Sequence, residues 1–229
     1  MRQIKPFSDT RLDNMCSYCG ESPDTRDHVP SRILLEEPYP ENLPVVPCCD
    51  KCNQGFSLDE EYIACLLECV LCGTTDIEKL QRKKIKRILQ NKEPLRQKIL
   101  QSKVEIEGQV AFNIEADRMQ NVLIKLAKGH AKYENSEPVF EEPMSIGFKP
   151  LLTMTQNEID TFLAGTEITK TPEVGSRAMQ NFLIDSNNNT YSHWTIVQPE
   201  IYSYSVSITP SRLSVKIILW NYLAAEVIW

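Results

Sequence analysis

No stretch of this chain stays apolar for the roughly 18 residues a membrane-spanning helix needs, so no membrane partner is expected. The first residues, Met1-Arg-Gln-Ile-Lys-Pro-Phe-Ser-Asp9, lack the apolar segment of a secretory signal. A cytoplasmic location follows as the expectation, and there thiols stay reduced and favour metal over disulfide. Internal repeats and low-complexity tracts are also missing. Histidine is scarce: there are three, and His130 and His193 stand far from any cluster and read as structural. Positive charge is short overall, with a net charge of −6. The deficit is uneven. Between Asp76 and Lys103 ten lysines and arginines face three acidic residues, a local excess of +7. A local field of that sign attracts a polyanion even from an acidic protein.

Cysteine is what the chain does have. Cys16-Ser-Tyr-Cys19 and Cys49-Asp-Lys-Cys52 are two Cys-x-x-Cys pairs with twenty-nine residues between them. Four thiolates so spaced suit one tetrahedral structural Zn²⁺ that ties the ends of a short loop together. That loop carries Asp27-His28-Val29-Pro30 and Asn42-Leu43, and Asn53 follows the last cysteine directly. His28 has an ordinary pKa near 6.5, so a neutral imidazole is available to take a proton from water. Asp27 and Asn53 are hard oxygen donors of the kind Mg²⁺ or Mn²⁺ accepts. Cys65, Cys69 and Cys72 share a face of an apolar stretch and read as small buried hydrophobes rather than as cluster ligands. Cys48 lies outside the two Cys-x-x-Cys pairs, and a second metal using it is the lesser alternative.

Residues 16 to 62 resemble the His-Asn-His (HNH, ββα-metal) endonucleases, in their zinc-stapled branch. The Asp27-His28, Asn42-Leu43-Pro44-Val45-Val46 and Cys52-Asn53 steps occur in that family's order, with Asn53 where a histidine is also common. The resemblance implies hydrolysis of phosphodiester bonds in nucleic acid, DNA in the first instance. His28 would be the general base, Asp27 and Asn53 would hold a catalytic Mg²⁺ or Mn²⁺, and Asn42 would tie the loop backbone. Arg26, Arg32 and Lys51 are close enough in sequence to meet phosphates. The alternatives are a non-catalytic zinc module binding nucleic acid or protein, and a nuclease subunit switched by a partner or ligand at its C-terminal domain. A regulatory protein or a second copy of the chain would then be the partner.

The fold expected is α+β. A zinc-stapled module over residues 10–75 leads into a basic helical connector (76–103) and a C-terminal α+β domain (104–229) with a mainly antiparallel sheet. Ser57 and Glu60 read as a capping box that opens a buried helix from Leu58 to about Cys72. An amphipathic helix is expected over Asp76–Gln90, with Lys79, Arg82, Lys83 and Lys86 on the face offered to phosphate. The helix from Ala116 is expected to stop near Gly129. Strands follow over Phe182–Asp185, Tyr191–Val197, Ile201–Ile208, Leu213–Trp220 and Tyr222–Ile228, with a hairpin at Thr209-Pro-Ser-Arg.

Overall fold

The computed structural model describes residues 10–106, 108–181, 183–184, 186–187 and 189–229. The readings for residues 1–9 and for the strand ends at Phe182 and Asp185 lie outside these. The hairpin β1 (Thr25–His28) and β2 (Val45–Cys48) is followed by α1 (Asp50–Leu71), α2 (Lys83–Asn91) and α3 (Glu93–Ser102). A second hairpin, β3 (Lys103–Ile106) and β4 (Gln109–Phe112), leads into the long α4 (Ala116–Asn135). Next come β5 (Ser145–Pro150), α5 (Gln156–Leu163), α6 (Arg177–Gln180), and the small pair β6 (Leu183–Ile184) and β7 (Thr190–Tyr191). The chain ends on β8 (Thr195–Gln198), β9 (Tyr202–Thr209), β10 (Arg212–Leu219) and β11 (Leu223–Ile228). This is the expected α+β class. Among the described residues, no helix is long and apolar enough to cross a membrane.

Two compact units emerge: residues 1–55 with 123–229, and residues 56–122. The helices α1 and α4 each run through a boundary. The divisions read from the sequence, after residues 75 and 103, both fall inside the second unit.

In the first unit β5, β11, β10, β9 and β8 form an antiparallel sheet in that order. Side chains alternate across a strand, and here one face is apolar. Ile217 pairs with Tyr204 and Ala225, and Leu219 with Tyr202 and Leu223, all buried. The β9–β10 turn pairs Thr209 with Arg212, as the Thr-Pro-Ser-Arg segment foretells. The second half of α4 covers this face. His130 is fully buried, stacks on Tyr204 with ring centroids 3.7 Å apart, and shares a 2.7 Å hydrogen bond with the Tyr202 hydroxyl. Burial holds its imidazole well below the usual pKa, hence neutral.

The helix α4 does not stop at Gly129 but continues to Asn135. A Cβ at Gly129 would come within 2.6 Å of Val29 Cγ2 and 3.2 Å of the Tyr18 hydroxyl. The glycine is there for close approach to the residue after β1, not to end the helix. The same sheet supports the loop of the first hairpin. The Trp220 indole N–H donates to Leu34 O at 3.1 Å, and the Gln198 side chain bonds both the N–H (3.1 Å) and the C=O (2.9 Å) of Glu36. Residues far apart in sequence thus steady the segment between Asp27-His28 and β2.

Two expectations are corrected, one at the start of α1 and one in the second unit. Helix α1 begins at Asp50, so Ser57 and Glu60 lie inside it rather than capping it. Gly55 costs such a helix about 1 kcal/mol, which the buried run Tyr62–Cys69 outweighs. The helix expected over Asp76–Gln90 is broken into a 3₁₀ turn, Ile77–Lys79, and α2. The buried Glu68 causes the break: its Oε1 accepts the backbone N–H groups of Gln81 (2.6 Å) and Arg82 (2.8 Å). Within this unit Gly108 takes φ +76° in the β3–β4 turn, which a side chain would resist.

Candidate metal centre and hairpin site

Local backbone chemistry builds a sulfur cluster. In the turn after Cys16, the Gly20 N–H bonds Cys16 O at 3.0 Å and Gly20 takes φ +80°, folding Cys19 back beside Cys16. Ser17 ties this turn to β2 through two 2.9 Å bonds, N–H and hydroxyl, to Pro47 O. Cys49 stands between β2 and α1, and Cys52 lies in the first turn of α1, its N–H directed at Cys49 Sγ at 3.4 Å. All eight cysteines are free, and the sulfurs of Cys16, Cys19, Cys49 and Cys52 lie within 4.8 Å of one another. Cys19 and Cys49 are 3.7 Å apart. A tetrahedral zinc with bonds of about 2.3 Å needs sulfurs roughly 3.8 Å apart. The four cysteines therefore form a group that could hold a metal ion. The Cys16 thiol is also prepared for it: burial pushes its pKa up, but backbone N–H groups of Cys49, Tyr18 and Cys19 prevail and lower it to about 7. Cys48, Cys65 and Cys69 are buried, and burial pushes each thiol up, which suits inert packing.

β1 carries the next two groups. Asp27 opposes Val46 and His28 opposes Val45 in the hairpin register. His28 is half-buried, and its Nδ1 is buried with no hydrogen-bond partner among the described residues. Burial lowers its pKa, the charges of Arg32 and Lys125 lower it further, and Asp27 opposes them. The imidazole is neutral at neutral pH. An unpartnered buried nitrogen on a neutral ring is an unusual cost.

Asp27 is buried in a network that the sequence did not disclose. Its Oδ2 accepts the Tyr18 hydroxyl at 2.6 Å and faces the Lys125 ammonium at 2.8 Å. Lys125, 1 % exposed on α4, also donates to Ser31 Oγ at 2.7 Å. The signal for Lys125 was present: it lies on the helical face of Val122, Leu126 and Gly129, where a lysine must find a partner or be expelled. Tyr18 and Ser31 carry no such signal.

The remaining candidates are spread over both units. In the first, Asn53 lies half-exposed in the first turn of α1 and its N–H bonds Cys49 O at 3.0 Å, while Asn42, Arg26, Arg32 and Lys51 are exposed. In the second, Lys79 and Lys83 are exposed, and Lys86 is half-buried and donates to Glu78 O at 2.9 Å. Arg82 is buried, with 5 % of its surface exposed, and does not stand on the basic face. The broken helix turns it inward.

Oxygen donors suit a hard cation. The Tyr18 hydroxyl and the Lys125 ammonium both meet the Asp27 carboxylate at Oδ2. A ligating carboxylate held from behind is a familiar arrangement at metal sites.

No protein-family model matches the chain, and no curated protein or solved structure matches it. The likeness to HNH nucleases stands on the motif residues alone.

Proposed function

We propose that the β1–β2 hairpin and the head of α1 form an HNH-type nuclease centre that hydrolyses phosphodiester bonds, with DNA as the first substrate to test. One observation carries this reading. On a hairpin anchored by four clustered cysteines, His28 follows a clamped carboxylate, its buried Nδ1 unpartnered among the described residues. Zinc bound by Cys16, Cys19, Cys49 and Cys52 holds the Cys16 turn to the start of α1, which also carries Asn53. His28, kept neutral, accepts the proton of the attacking water. Arg26, Arg32 and Lys51 meet phosphate oxygens. Asp27 and Asn53 are the residues to hold Mg²⁺ or Mn²⁺, which when bound supplies charge stabilisation at the leaving oxygen.

A second reading has an observation in its favour. Because the Asp27 charge is already balanced by Lys125, the hairpin would also suit a zinc module that binds nucleic acid without cutting it. Nicking of supercoiled plasmid by the purified zinc-loaded chain, with Mg²⁺ or Mn²⁺, separates the two. Cleavage by the wild type and its loss in His28→Ala support the nuclease. Retained binding with no cleavage by either protein supports the module.

A further inference from the structure

We infer that Lys125 is the positioning residue of this centre: from α4 it holds Asp27 and the Ser31 turn in one geometry and weakens the cation affinity of Asp27. The inference rests on the nuclease reading and adds to it a residue from outside the motif. Lys125 enters the hairpin from ninety-eight residues away in sequence, and its ammonium contacts Asp27 Oδ2 at 2.8 Å and Ser31 Oγ at 2.7 Å. These two residues bracket His28, Val29 and Pro30. One point of contact therefore fixes both ends of the short segment that carries the base. The close approach of α4 at Gly129, one helical turn further on, keeps the lysine stem at that depth.

Both the lysine and the aspartate are buried, so the pair is not a screened surface contact. With Oδ2 held by Tyr18 and Lys125, a cation would meet this carboxylate beside the ammonium. A fixed ammonium within a few ångströms of that position repels any divalent ion. The consequence is a carboxylate that is accurately placed but binds its cation weakly, so that substrate phosphate is needed to complete the shell. A lysine that merely stabilised the fold would not separate placement from cation affinity.

The test uses the full-length zinc-loaded chain with Mn²⁺ as the probe, its binding followed by electron paramagnetic resonance, and plasmid nicking measured in parallel. In Lys125→Gln the charge is lost and the side chain is too short to bridge Asp27 and Ser31. Mn²⁺ should bind about tenfold tighter or more, as removal of a nearby like charge in a partly buried setting implies. Nicking at saturating Mn²⁺ should fall about tenfold or more, as expected for lost positioning. Lys125→Arg keeps the charge, and its Mn²⁺ affinity should stay within about threefold of wild type. Asp27→Asn should abolish the site in either background. Should Lys125→Gln fail to fold, Lys125→Arg decides: tightened Mn²⁺ binding there overturns the inference, and unchanged affinity with reduced nicking supports it. Unchanged binding and nicking in a folded Lys125→Gln also overturns it, while leaving the nuclease reading intact. Tightened, Asp27-dependent Mn²⁺ binding with no nicking by any protein instead supports the role of Lys125 toward the cation and removes the nuclease reading.

Discussion

Gly129 on α4 faces Val29, the residue that follows β1, so closely that a methyl group on it would stand 2.6 Å from Val29 Cγ2 and 2.9 Å from Cγ1. A contact of that kind joins a helix of the C-terminal half to the hairpin that carries Asp27 and His28, and its removal should be felt in stability. Gly129→Ala gains about 1 kcal/mol of helix propensity and loses about 1–3 kcal/mol to overpacking, so net destabilisation is expected. Val29→Ala should relieve the clash, giving a coupling of about 1 kcal/mol in a double-mutant cycle by urea unfolding. Strict additivity of the two changes would mean that the helix yields without cost.

The four clustered cysteines should carry about one Zn²⁺ per chain, and binding energy at such a site is folding energy. Elemental analysis of protein purified without chelator checks the stoichiometry. Strong chelation should unfold the hairpin, seen as a lost cooperative transition. Cys49→Ser should abolish zinc, whereas Cys48→Ser should leave it bound, because Cys48 Sγ points instead to Cys49 O at 3.2 Å. Equal zinc loss in both variants would show that the four sulfurs have been wrongly chosen.

Nicking should depend on pH through the neutral form of His28. Its pKa lies below 6.5 because burial and the charges of Arg32 and Lys125 disfavour the imidazolium. A base works only when unprotonated, so the rate should be flat near neutrality and fall on acidification with a midpoint below 6.5. His28→Ala should lose about 10² or more in rate and lose that pH dependence, while keeping zinc. A midpoint above 6.5 would assign the titration to another group.

The basic segment of the second unit offers an internal control. Replacing Lys79, Lys83 and Lys86 by Gln should weaken nucleic-acid binding at all sequences alike. Each lost phosphate contact should reduce the salt slope by about 0.9 on duplex DNA. Arg82→Gln should leave the slope unchanged and lower stability, because Arg82 is buried. Affinity measured against salt concentration, with thermal unfolding alongside, distinguishes the two. A reduced slope in Arg82→Gln would contradict its inward position.

The sequence by itself determined whatever depends on neighbours a few residues apart. The two Cys-x-x-Cys pairs imply a shared metal because each pair needs only one tight turn to bring its sulfurs together. The alternation from Tyr202 to Ile228 implies strands, because a sheet with one buried face demands a period of two. At the start of α5, Thr155 and Glu158 form a capping box, a device of residues three apart. A matching pair at Ser57 and Glu60 stays inside α1, because backbone already helical from Asp50 leaves no free N–H groups to cap. Only the tertiary structure decided the rest. Glu68 reaches thirteen residues ahead to take the N–H of Gln81 and interrupts a helix that propensity favours. Gly129 reads as a stop because local rules know its flexibility and not the side chain pressed against it. The apolar helical face of Lys125 says that it needs a partner, but only the fold supplies Asp27 and Ser31 as that partner. These are interactions between distant residues, whose strength depends on burial and distance, and no local pattern encodes either.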